Sequence, residues 1–408
     1  MRLPAHEATT AQLCAAYPFV ARPPLPGGGV LVGRERSGGA FVHDPFELYR
    51  LGVLTNPNLL VLGQIGRGKS AFVKSYLYRQ AAFGRRIVVI DPKGEYGPLA
   101  AALGVVPVAL RPGGSLRLNP LELGGGDEGE RRCLVTLAAV AAALVGRALR
   151  PLEHALLEQA LAPQGAGPVR VIATVVDGLL DPPPATCRAL RSGEEELRRE
   201  GRDLALSLRR LVAGDLAGLF DAPTSPEVDL GAAAVVLDLS ALYQSSALGV
   251  AIVCVQAVLE AATTHGHGPT LLVMDEAWAL FANLATAQFL QASLKLARAR
   301  GVANVLVTHR LSDLAAGAPS GSATARLVEG LVADCETVVA YAQPDSEIPL
   351  ATRTLGLSGE EGRLLPHLRR GTALWRVGGV PYLVEHRLAA AERALVDTDA
   401  AMSALAAC

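Results

Sequence analysis

The chain has 408 residues, half of them hydrophobic, with a net charge of −1 and a mean hydropathy of +0.30. This hydrophobic fraction is enough for a large core, and with aromatic residues at 4% that core must be mainly aliphatic. The near-zero charge gives no electrostatic footprint for nucleic acid over the chain as a whole.

The apolar segments are too short for a membrane protein. The longest runs, Leu134–Val145 and Leu248–Leu259, fall short of the about 20 residues that a spanning helix needs. The N-terminal segment Met1–Ala16 includes Arg2 and Glu7 and lacks the continuous apolar stretch of a signal peptide. These features predict a cytoplasmic protein. The six cysteines contain no C-x-x-C pair, which argues against a zinc site and a disulfide framework.

The N-terminal region, residues 1–50, mixes proline, glycine and charge around strand-like pieces at Gly29–Val32 and Ala40–His43. Next, Asn58–Gly63 is predicted to be a buried strand, and Ser70–Phe83 a helix that ends near Gly84.

The loop between this strand and helix has the complete Walker A pattern G-x-x-x-x-G-K-S. In such loops the backbone N–H groups surround the phosphates, and the helix N-terminus adds partial positive charge. Lys69 is predicted to reach the β- and γ-phosphates, and the Ser70 hydroxyl to bind Mg²⁺. The residues predicted to bind nucleotide are Gly63, Gln64, Ile65, Gly66, Arg67, Gly68, Lys69, Ser70 and Ala71. ATP and Mg²⁺ are therefore the expected cofactors.

A second apolar strand is predicted at Arg86–Ile90 and a short one at Pro107–Leu110. The second strand leads into the sequence Asp-Pro-Lys-Gly-Glu-Tyr at 91–96, at the end of the strand where a nucleotide site is expected. Asp91 or Glu95 could contribute to that site, or the stretch could be a solvated turn; the sequence favours neither.

Between Asp127 and Phe220 the hydrophobic pattern becomes helical. Helices are predicted at Arg131–Leu149, Leu152–Leu161, Val169–Leu180 and Glu194–Gly214, with glycine and proline clusters between them. This pattern predicts an all-helical insertion at 127–221. The α/β core would then comprise 51–126 and 222–408, preceded by the short N-terminal region 1–50.

After the helical region, short apolar strands again alternate with helices. Strands are predicted at Ala233–Leu239, Thr270–Asp275 and Ala303–Thr308, and helices at Ala247–Thr264 and Thr286–Arg300. This alternation predicts an α/β fold whose mostly parallel sheet is covered by helices on both faces. The last segments, Thr337–Ala340, Ala373–Val377 and Val380–Val384, are predicted as antiparallel edge strands.

Two of these strands end in an acid that could complete a Mg²⁺ site, at Asp238 and at Asp275-Glu276. The adjacent pair suits hydrolysis, because Asp275 can hold Mg²⁺ through a water while Glu276 orients the attacking water. An exposed acidic turn that caps the next helix is the competing interpretation. The Walker A loop favours the catalytic role, and Asp238 is interpreted as a structural acid.

The sequence also contains candidates for two further roles, a sensor of the γ-phosphate and an arginine that acts on a neighbouring subunit. His309 ends the strand after the acidic pair, where it could contact the γ-phosphate or the attacking water, or be an ordinary loop histidine. Arg298 and Arg300 close a helix, where basic residues also simply complement the helix dipole. Arg310 and Arg326 are further arginine candidates.

Taken together, these motifs resemble a known family. The stretches that carry the resemblance are Asp44–Phe46, Thr55–Asn58, Gly63–Ser70, Asp91–Tyr96, Leu118–Leu121 and Asp275–Trp278. The chain resembles the conjugation and type IV secretion ATPases, the TraC/VirB-like traffic ATPases of the HerA–FtsK branch. The likeness runs from about residue 14 to the C-terminus and is strongest to the stand-alone ATP-binding forms found in actinobacteria.

The resemblance implies a RecA-like P-loop NTPase core with a helical insertion, and a ring, commonly a hexamer, driven by ATP hydrolysis. It implies Walker A, Mg²⁺ and Walker B roles for Lys69, Ser70, Asp275 and Glu276. The implied partners are conjugation or secretion channel components and DNA, with membrane contact only through them.

Two features depart from the family pattern. Members usually have Thr-Gln where this chain has Thr308-His309, which puts the sensor assignment in question. Many also have a large N-terminal domain, whereas about 50 residues precede the P-loop strand here, so docking to a channel is the least supported implication.

The leading functional hypothesis is therefore a ring-forming ATPase motor for conjugative transfer or type IV-like secretion. A HerA/FtsK-type DNA-translocating ATPase without a secretion partner is the first alternative. The second is a nucleotide-binding scaffold that does not hydrolyse ATP.

Overall fold

The computed structural model describes residues 9, 24–36, 39–123, 126–162, 170–263, 268–282, 284–314 and 323–396. The strands are β1 Val30–Glu35, β2 Ala40–His43, β3 Leu59–Leu62, β4 Arg86–Asp91, β5 Val108–Ala109, β6 Ala234–Asp238, β7 Thr270–Met274, β8 Val302–Thr308, β9 Thr337–Ala340, β10 Thr372–Val377 and β11 Val380–His386. The described residues form one sheet of these strands in the order β2-β1-β11-β10-β9-β3-β8-β7-β4-β6-β5.

Helices connect the strands and cover the sheet. They are α1 Pro45–Arg50, α2 Lys69–Ala82, α3 Gly97–Ala102, α4 Gly126–Val145, α5 Pro151–Leu161, α6 Ile172–Leu180, α7 Pro184–Leu190, α8 Glu194–Leu208, α9 Arg210–Ala213, α10 Leu248–Thr263, α11 Leu284–Ala297, α12 Leu311–Leu314, α13 Ala323–Ala333, α14 Ile348–Leu355, α15 Gly359–Leu364 and α16 Arg393–Val396.

One side of the sheet is parallel, as the alternation of strands and helices predicts. Its strands follow one another in the order β9-β3-β8-β7-β4-β6-β5. Side chains alternate between two hydrophobic clusters, one on each face. Leu60 and Leu62 of β3 belong to the cluster shared with α4, α8, α10 and α11. Leu59 and Val61 belong to the cluster shared with α1, α2 and α3. Burial on both faces explains why these strands are continuous apolar runs.

On the other side of the sheet the strands are antiparallel, which confirms the predicted antiparallel pairing of the C-terminal strands β10 and β11 on this side, although neither strand is outermost. The outermost positions there belong to the N-terminal strands, because β1 pairs with β11 and β2 with β1. The prediction of an edge position for Thr337–Ala340 was wrong. This strand is β9, inside the sheet, parallel to β3 and antiparallel to β10.

The N-terminal strands join the sheet because they supply part of its aromatic core. Phe41 of β2 lies against Trp375 and Tyr382, with ring centroids 5.0 and 5.3 Å apart. Val30 and Val32 of β1 are 1% exposed in the same hydrophobic cluster. Burial of these apolar side chains stabilises the pairing of β1 and β2 with the antiparallel side of the sheet.

Between β5 and β6 the described residues contain helices α4 to α9 and no strand, as the helical pattern predicts. The predicted helix at Glu194–Gly214 divides into α8 and α9. Helix α7 was missed because the proline cluster was interpreted as a separator. Pro184 instead occupies the first turn of α7, where its missing N–H costs nothing. The predicted start of the third helix at Val169 lies outside the described residues.

In the part of the chain that the structure describes, no helix is both long and apolar enough to cross a membrane. Four cysteines lie in this part, at 133, 187, 254 and 335, and all four are free thiols.

Candidate nucleotide-binding site

The Walker A loop lies between β3 and α2, at the carboxyl end of the central parallel strands. Gly68 is the N-cap of α2 with φ 105°, a conformation that favours glycine, and no side chain caps the helix. The N–H groups of the first turn therefore have no intrahelical partner and are available to an anion. At Gly63 an added Cβ would lie 2.5 Å from the Cβ of Tyr341. Glycine is thus required at both ends of the loop.

Lys69 opens α2 and is 4% exposed. Its Nζ donates to the Thr308 carbonyl at 3.1 Å and to His309 Nδ1 at 2.7 Å. Burial lowers the pKa of Lys69 to about 8, although Asp275 and Glu276 oppose the shift. The ammonium group is therefore buried, and among the described residues its hydrogen bonds go to a carbonyl and an imidazole rather than to a carboxylate, which suits it to binding a phosphate.

The acidic pair follows β7 directly and is buried, with Asp275 7% and Glu276 2% exposed. This burial excludes the interpretation as an exposed acidic turn. Asp275 Oδ2 accepts from the Tyr96 hydroxyl at 3.1 Å, and Oδ1 accepts from the backbone N–H of Glu276 at 2.9 Å. Burial raises the pKa of Asp275, with Lys69 acting in the opposite direction.

The backbone at Glu276 is in the left-handed region with φ 52°. For a residue with a side chain this conformation costs about 1–3 kcal/mol, and such residues cluster at functional sites. The strain is retained here within a dense set of contacts to the carboxylate, described next.

Three donors surround the Glu276 carboxylate. Lys93 Nζ lies 2.5 Å from Oε1, His309 Nε2 lies 3.0 Å from the same oxygen, and the Trp278 indole N–H donates to Oε2. Burial alone raises the pKa of Glu276, but the hydrogen bonds from His309, Lys93 and Trp278 lower it to about 2. The carboxylate is therefore ionised, and it accepts two contacts at Oε1 and one at Oε2.

His309 connects the Walker A lysine to the acidic pair. A lysine ammonium can only donate, so Nδ1 accepts from Lys69 and Nε2 carries the proton that is donated to Glu276. The Nε2 atom also lies 3.3 Å from Lys93 Nζ. Since both groups are donors, this contact is proximity, and the hydrogen bond of Lys93 goes to Glu276. The structure thus places the sensor candidate between the two predicted functional residues.

The turn after β4 is built around Asp91. This side chain is 1% exposed, and it accepts the backbone N–H groups of Lys93, Gly94 and Tyr96 at 3.2, 2.9 and 2.9 Å. Asp91 therefore holds the turn, and the turn places Lys93 and Tyr96 beside the acidic pair. Glu95 acts at longer range, as one of the charges that raise the pKa of Lys69 and of Lys74.

Sequence reasoning missed the roles of Lys93 and Tyr96. Lysine occurs only at 69, 74, 93 and 295, and this scarcity, which supports Lys69, also marks Lys93. No comparable signal marks Tyr96. Asp238, interpreted as a structural acid, ends β6 and accepts the N–H of Ser240 at 2.8 Å.

The two leading arginine candidates lie far from their own P-loop. Arg298 and Arg300 form the turn before β8, at the amino end of the parallel strands, whereas the P-loop lies at the carboxyl end. Arg300 Nη1 forms an ion pair with Glu260 Oε2 at 2.5 Å, and Arg298 is exposed. Arg326 lies on α13.

Arg310 is closer, in the wall of a cavity of about 700 Å³ that opens on the P-loop. The cavity is lined by Gln64, Ile65, Gly66, Arg67, His309, Arg310, Asp313 and Arg370. Arg370 was not singled out from the sequence. It is brought there because Gly371 N–H donates to the Arg67 carbonyl at 2.9 Å, which fixes the loop before β10 against the P-loop. The volume and the arginines suit a polyphosphate ligand.

The predicted Mg²⁺ ligands, Ser70 and Asp275, fit an ion that is bound together with a nucleotide. In the described ranges there is no group of three or more His, Cys, Asp or Glu side chains that could hold a metal by itself. Mg²⁺ commonly takes one or two protein ligands and completes its shell with phosphate oxygens and water. Each Asp275 oxygen already accepts one hydrogen bond, which suits a contact through water.

The other stretches of the motif series are structural. Asp44 caps α1 by accepting the N–H groups of Phe46 and Glu47. Asn58 is fully buried and its Oδ1 accepts from the backbone of Asn304 at 2.9 Å, which links β3 to β8. Asn119 donates to the Arg170 carbonyl at 2.8 Å. These residues hold the elements that carry the site.

Comparison with protein families finds that residues 52–111 match the AAA-like domain. This segment contains β3, the Walker A loop, α2 and the turn around Asp91. No curated protein sequence matches the chain.

Solved structures share the fold over most of the chain. VirB4 of Thermoanaerobacter pseudethanolicus has a TM-score of 0.74 at 24% identity, covering 91% of this chain and 99% of that one. The unbound bacterial conjugative coupling protein TrwBdeltaN70 has a TM-score of 0.57 at 15% identity, covering 91% and 95%. The plasmid coupling protein TrwB in complex with ADP and Mg²⁺ has a TM-score of 0.57 at 16% identity, covering 81% and 86%. The chain therefore has the fold of VirB4 and TrwB, which confirms at the level of the fold the resemblance predicted from its sequence motifs.

Proposed function

We propose that the chain is an ATP-hydrolysing motor that forms a ring and energises conjugative DNA transfer or type IV-like secretion. The observation that carries the proposal is one buried constellation inside a VirB4-like fold. Lys69, His309 and Glu276 are joined by contacts of 2.7 and 3.0 Å, although Lys69 and His309 are 240 residues apart in sequence.

The residues divide the work of phosphoryl transfer. Lys69 and the first turn of α2 bind the β- and γ-phosphates. Ser70 and, through water, Asp275 would hold Mg²⁺, which would supply charge neutralisation at the phosphates. Glu276 orients the attacking water, and His309 transmits the state of the γ-phosphate from Lys69 to Glu276. Lys69 and Glu276 are 4% and 2% exposed, which strengthens their electrostatic contacts, whereas His309 faces the cavity.

A ring is proposed because an arginine from a neighbouring subunit commonly completes such sites. Arg298 and Arg300 cannot reach their own P-loop, since they lie at the other end of the sheet. Of the two, Arg298 is the exposed one and the better candidate to act on a neighbour. We further propose a cytoplasmic ring whose partners are channel components or DNA and whose membrane contact is made through those partners.

The test is ATP turnover by the wild type, Lys69→Ala and Glu276→Gln, with Asp238→Asn as the matched acid control. Both site variants should lose turnover and Asp238→Asn should keep it. Equal background rates in the wild type and Glu276→Gln would reject the motor.

Turnover per subunit should also fall on dilution, because a site shared between subunits is lost when the ring dissociates; a flat dilution curve contradicts the ring. Repeating the assay with and without DNA tests whether DNA is a partner.

A further inference from the structure

Among the described residues, Lys93 is the one lysine or arginine that forms an ion pair with the Glu276 carboxylate. Its Nζ lies 2.5 Å from Glu276 Oε1 and 5.5 Å from the centre of the Tyr243 ring. The motor chemistry described above assigns no role to this lysine. Its position, however, interferes directly with the role assigned to Glu276.

The conflict concerns the oxygens of the carboxylate. Oε1 already accepts from Lys93 and His309, and Oε2 accepts from Trp278. Each carboxylate oxygen has about two acceptor positions. A water that is to be oriented and deprotonated needs one of them, so at Oε1 either Lys93 or His309 must leave before Glu276 can act there.

Of the two donors on Oε1, Lys93 is the one able to leave. His309 is held on its other side by Lys69. The Lys93 and His309 side chains are 22% and 23% exposed, so it is the second contact of His309, and not exposure, that separates the two donors. The backbone under Lys93 is fixed by Asp91, which accepts the N–H groups of Lys93 and Gly94. Movement is therefore confined to the flexible four-carbon stem and its compact charge.

An alternative anion is expected close by. Lys69 Nζ contacts Nδ1 and Lys93 Nζ lies 3.3 Å from Nε2 of the same His309 ring. The two amines thus lie on opposite sides of one imidazole. A γ-phosphate bound by Lys69 would lie within reach of the Lys93 stem, and it carries more negative charge than one carboxylate.

We propose that Lys93 is a γ-phosphate-responsive switch residue. Without ATP it forms the ion pair with Glu276 and keeps Oε1 unavailable; with ATP its ammonium moves to a γ-phosphate oxygen and releases Oε1 for the attacking water. ADP lacks the γ-phosphate and leaves the ion pair intact. This inference rests on the proposed function, because it assumes that ATP occupies the Walker A loop.

The test measures nucleotide binding rather than turnover, so that it stays separate from the test of hydrolysis. The full chain is titrated with Mg²⁺ and either ADP or the non-hydrolysable analogue ADPNP. Lys93→Met removes the charge and keeps the length of the side chain. Lys295→Met makes the same substitution at an exposed lysine on α11. Lys93→Met should weaken ADPNP about tenfold, the loss expected for one charge-assisted hydrogen bond, and leave ADP within about twofold. Lys295→Met should change neither.

A second variant tests the ion pair without touching Lys93. Glu276→Gln removes the carboxylate that competes for the lysine, so ADPNP should bind several-fold more tightly while ADP does not. In Lys93→Met the further change Glu276→Gln should give no such gain, because the competition has already been removed. Because Glu276→Gln leaves Lys93 unchanged, its result does not depend on whether Lys93→Met folds correctly. Thermal denaturation of Lys93→Met would reveal a folding defect in that variant.

Equal affinities of Lys93→Met and wild type for ADPNP would overturn the inference, as would an equal loss for both nucleotides. An unchanged or weakened ADPNP affinity in Glu276→Gln would overturn it as well. If the ADPNP-to-ADP ratio shifts as expected but no protein turns over ATP, the motor proposal fails and the switch stands. If the wild type turns over ATP and the ratio does not shift, the motor stands and the switch fails.

Discussion

Two buried glutamates in different regions of the molecule share one electrostatic property. Glu276 in the nucleotide site and Glu153 in the helical region each have a pKa lowered to about 2. For Glu153 the largest cause is the hydrogen bond from Arg147, with Arg150 adding to it against the effect of burial. The side chain of Glu153 is 1% exposed and its arginine partners are about half exposed. A lowered pKa is therefore not enough to identify a functional acid.

The surroundings of the two side chains tell them apart. Glu153 sits in the first turn of α5, accepts the Arg150 N–H at 2.7 Å and has regular helical backbone. Glu276 has φ 52° and shares a short chain of contacts with Lys69, beside an open cavity. The first arrangement stabilises a helix start. The second combines strain, mixed partners and access to a ligand, which is the combination typical of catalytic sites.

The largest expected effect is on the catalytic side of this comparison. Glu276→Gln should lower ATP turnover by on the order of 10³, since a general base contributes about 10² to 10⁴. Its free energy of unfolding should fall as well, because the amide loses the ion pair with Lys93 and turns its own N–H group toward one of the three donors, so turnover is compared per folded molecule. Turnover assays and urea denaturation measure the two quantities, with Asp238→Asn as the control. A large loss of stability with little loss of turnover would reverse the contrast.

The matched substitution in the helical region should have the opposite profile. Glu153→Gln should reduce the free energy of unfolding by about 2 kcal/mol, a value lowered from that of fully buried pairs because both arginines are half exposed. Turnover per folded molecule should remain at the wild-type level. The same denaturation and turnover assays apply. A turnover loss as large as that of Glu276→Gln would show that the helical region belongs to the chemistry.

The pH dependence of the free energy of unfolding tests whether the charge of Glu153 causes the stability difference between the wild type and Glu153→Gln. Because the folded pKa of Glu153 is below its ordinary value of 4.5, its contribution is fully present above about pH 5 and is lost as the pH falls toward 2. The stability gap between the wild type and Glu153→Gln should therefore be constant from pH 5 to 7 and narrow steadily below that. Denaturation curves across this range provide the measurement. A gap that does not depend on pH would mean that packing, not charge, produces it.

The smallest effect concerns the link between Lys69 and Glu276. His309→Gln should keep turnover within about threefold, because an amide has one acceptor for Lys69 and one donor for Glu276. His309→Ala should lose about tenfold, since both contacts disappear. Comparing the two variants in one turnover assay separates a role of the hydrogen bonds from a role of side-chain volume alone. Equal losses of turnover in both variants would contradict the relay role of His309.

Local patterns in the sequence were enough for the elements and for the separate halves of the site. The Walker A loop requires glycine at Gly68 for its positive φ and lysine at the first helical position, and these demands are visible within eight residues. The fully buried strands β3, β4 and β7 are short apolar runs, so hydrophobicity alone locates them. The boundaries differ by a few residues, because helix ends depend on capping contacts that the hydrophobic pattern does not describe.

Only the tertiary structure decided which of these pieces meet. The order β3-β8-β7-β4 brings together the carboxyl ends of strands that are far apart in the chain. The site is therefore shared by Lys69 after β3, His309 after β8, Glu276 after β7 and Lys93 after β4. The position of β1 and β2 at the outside of the antiparallel side also depends on contacts between residues far apart in sequence, because Phe41 of β2 packs on Trp375 of β10. Residue patterns report what each segment buries, whereas pairing between strands is selected by the free energy of the whole core.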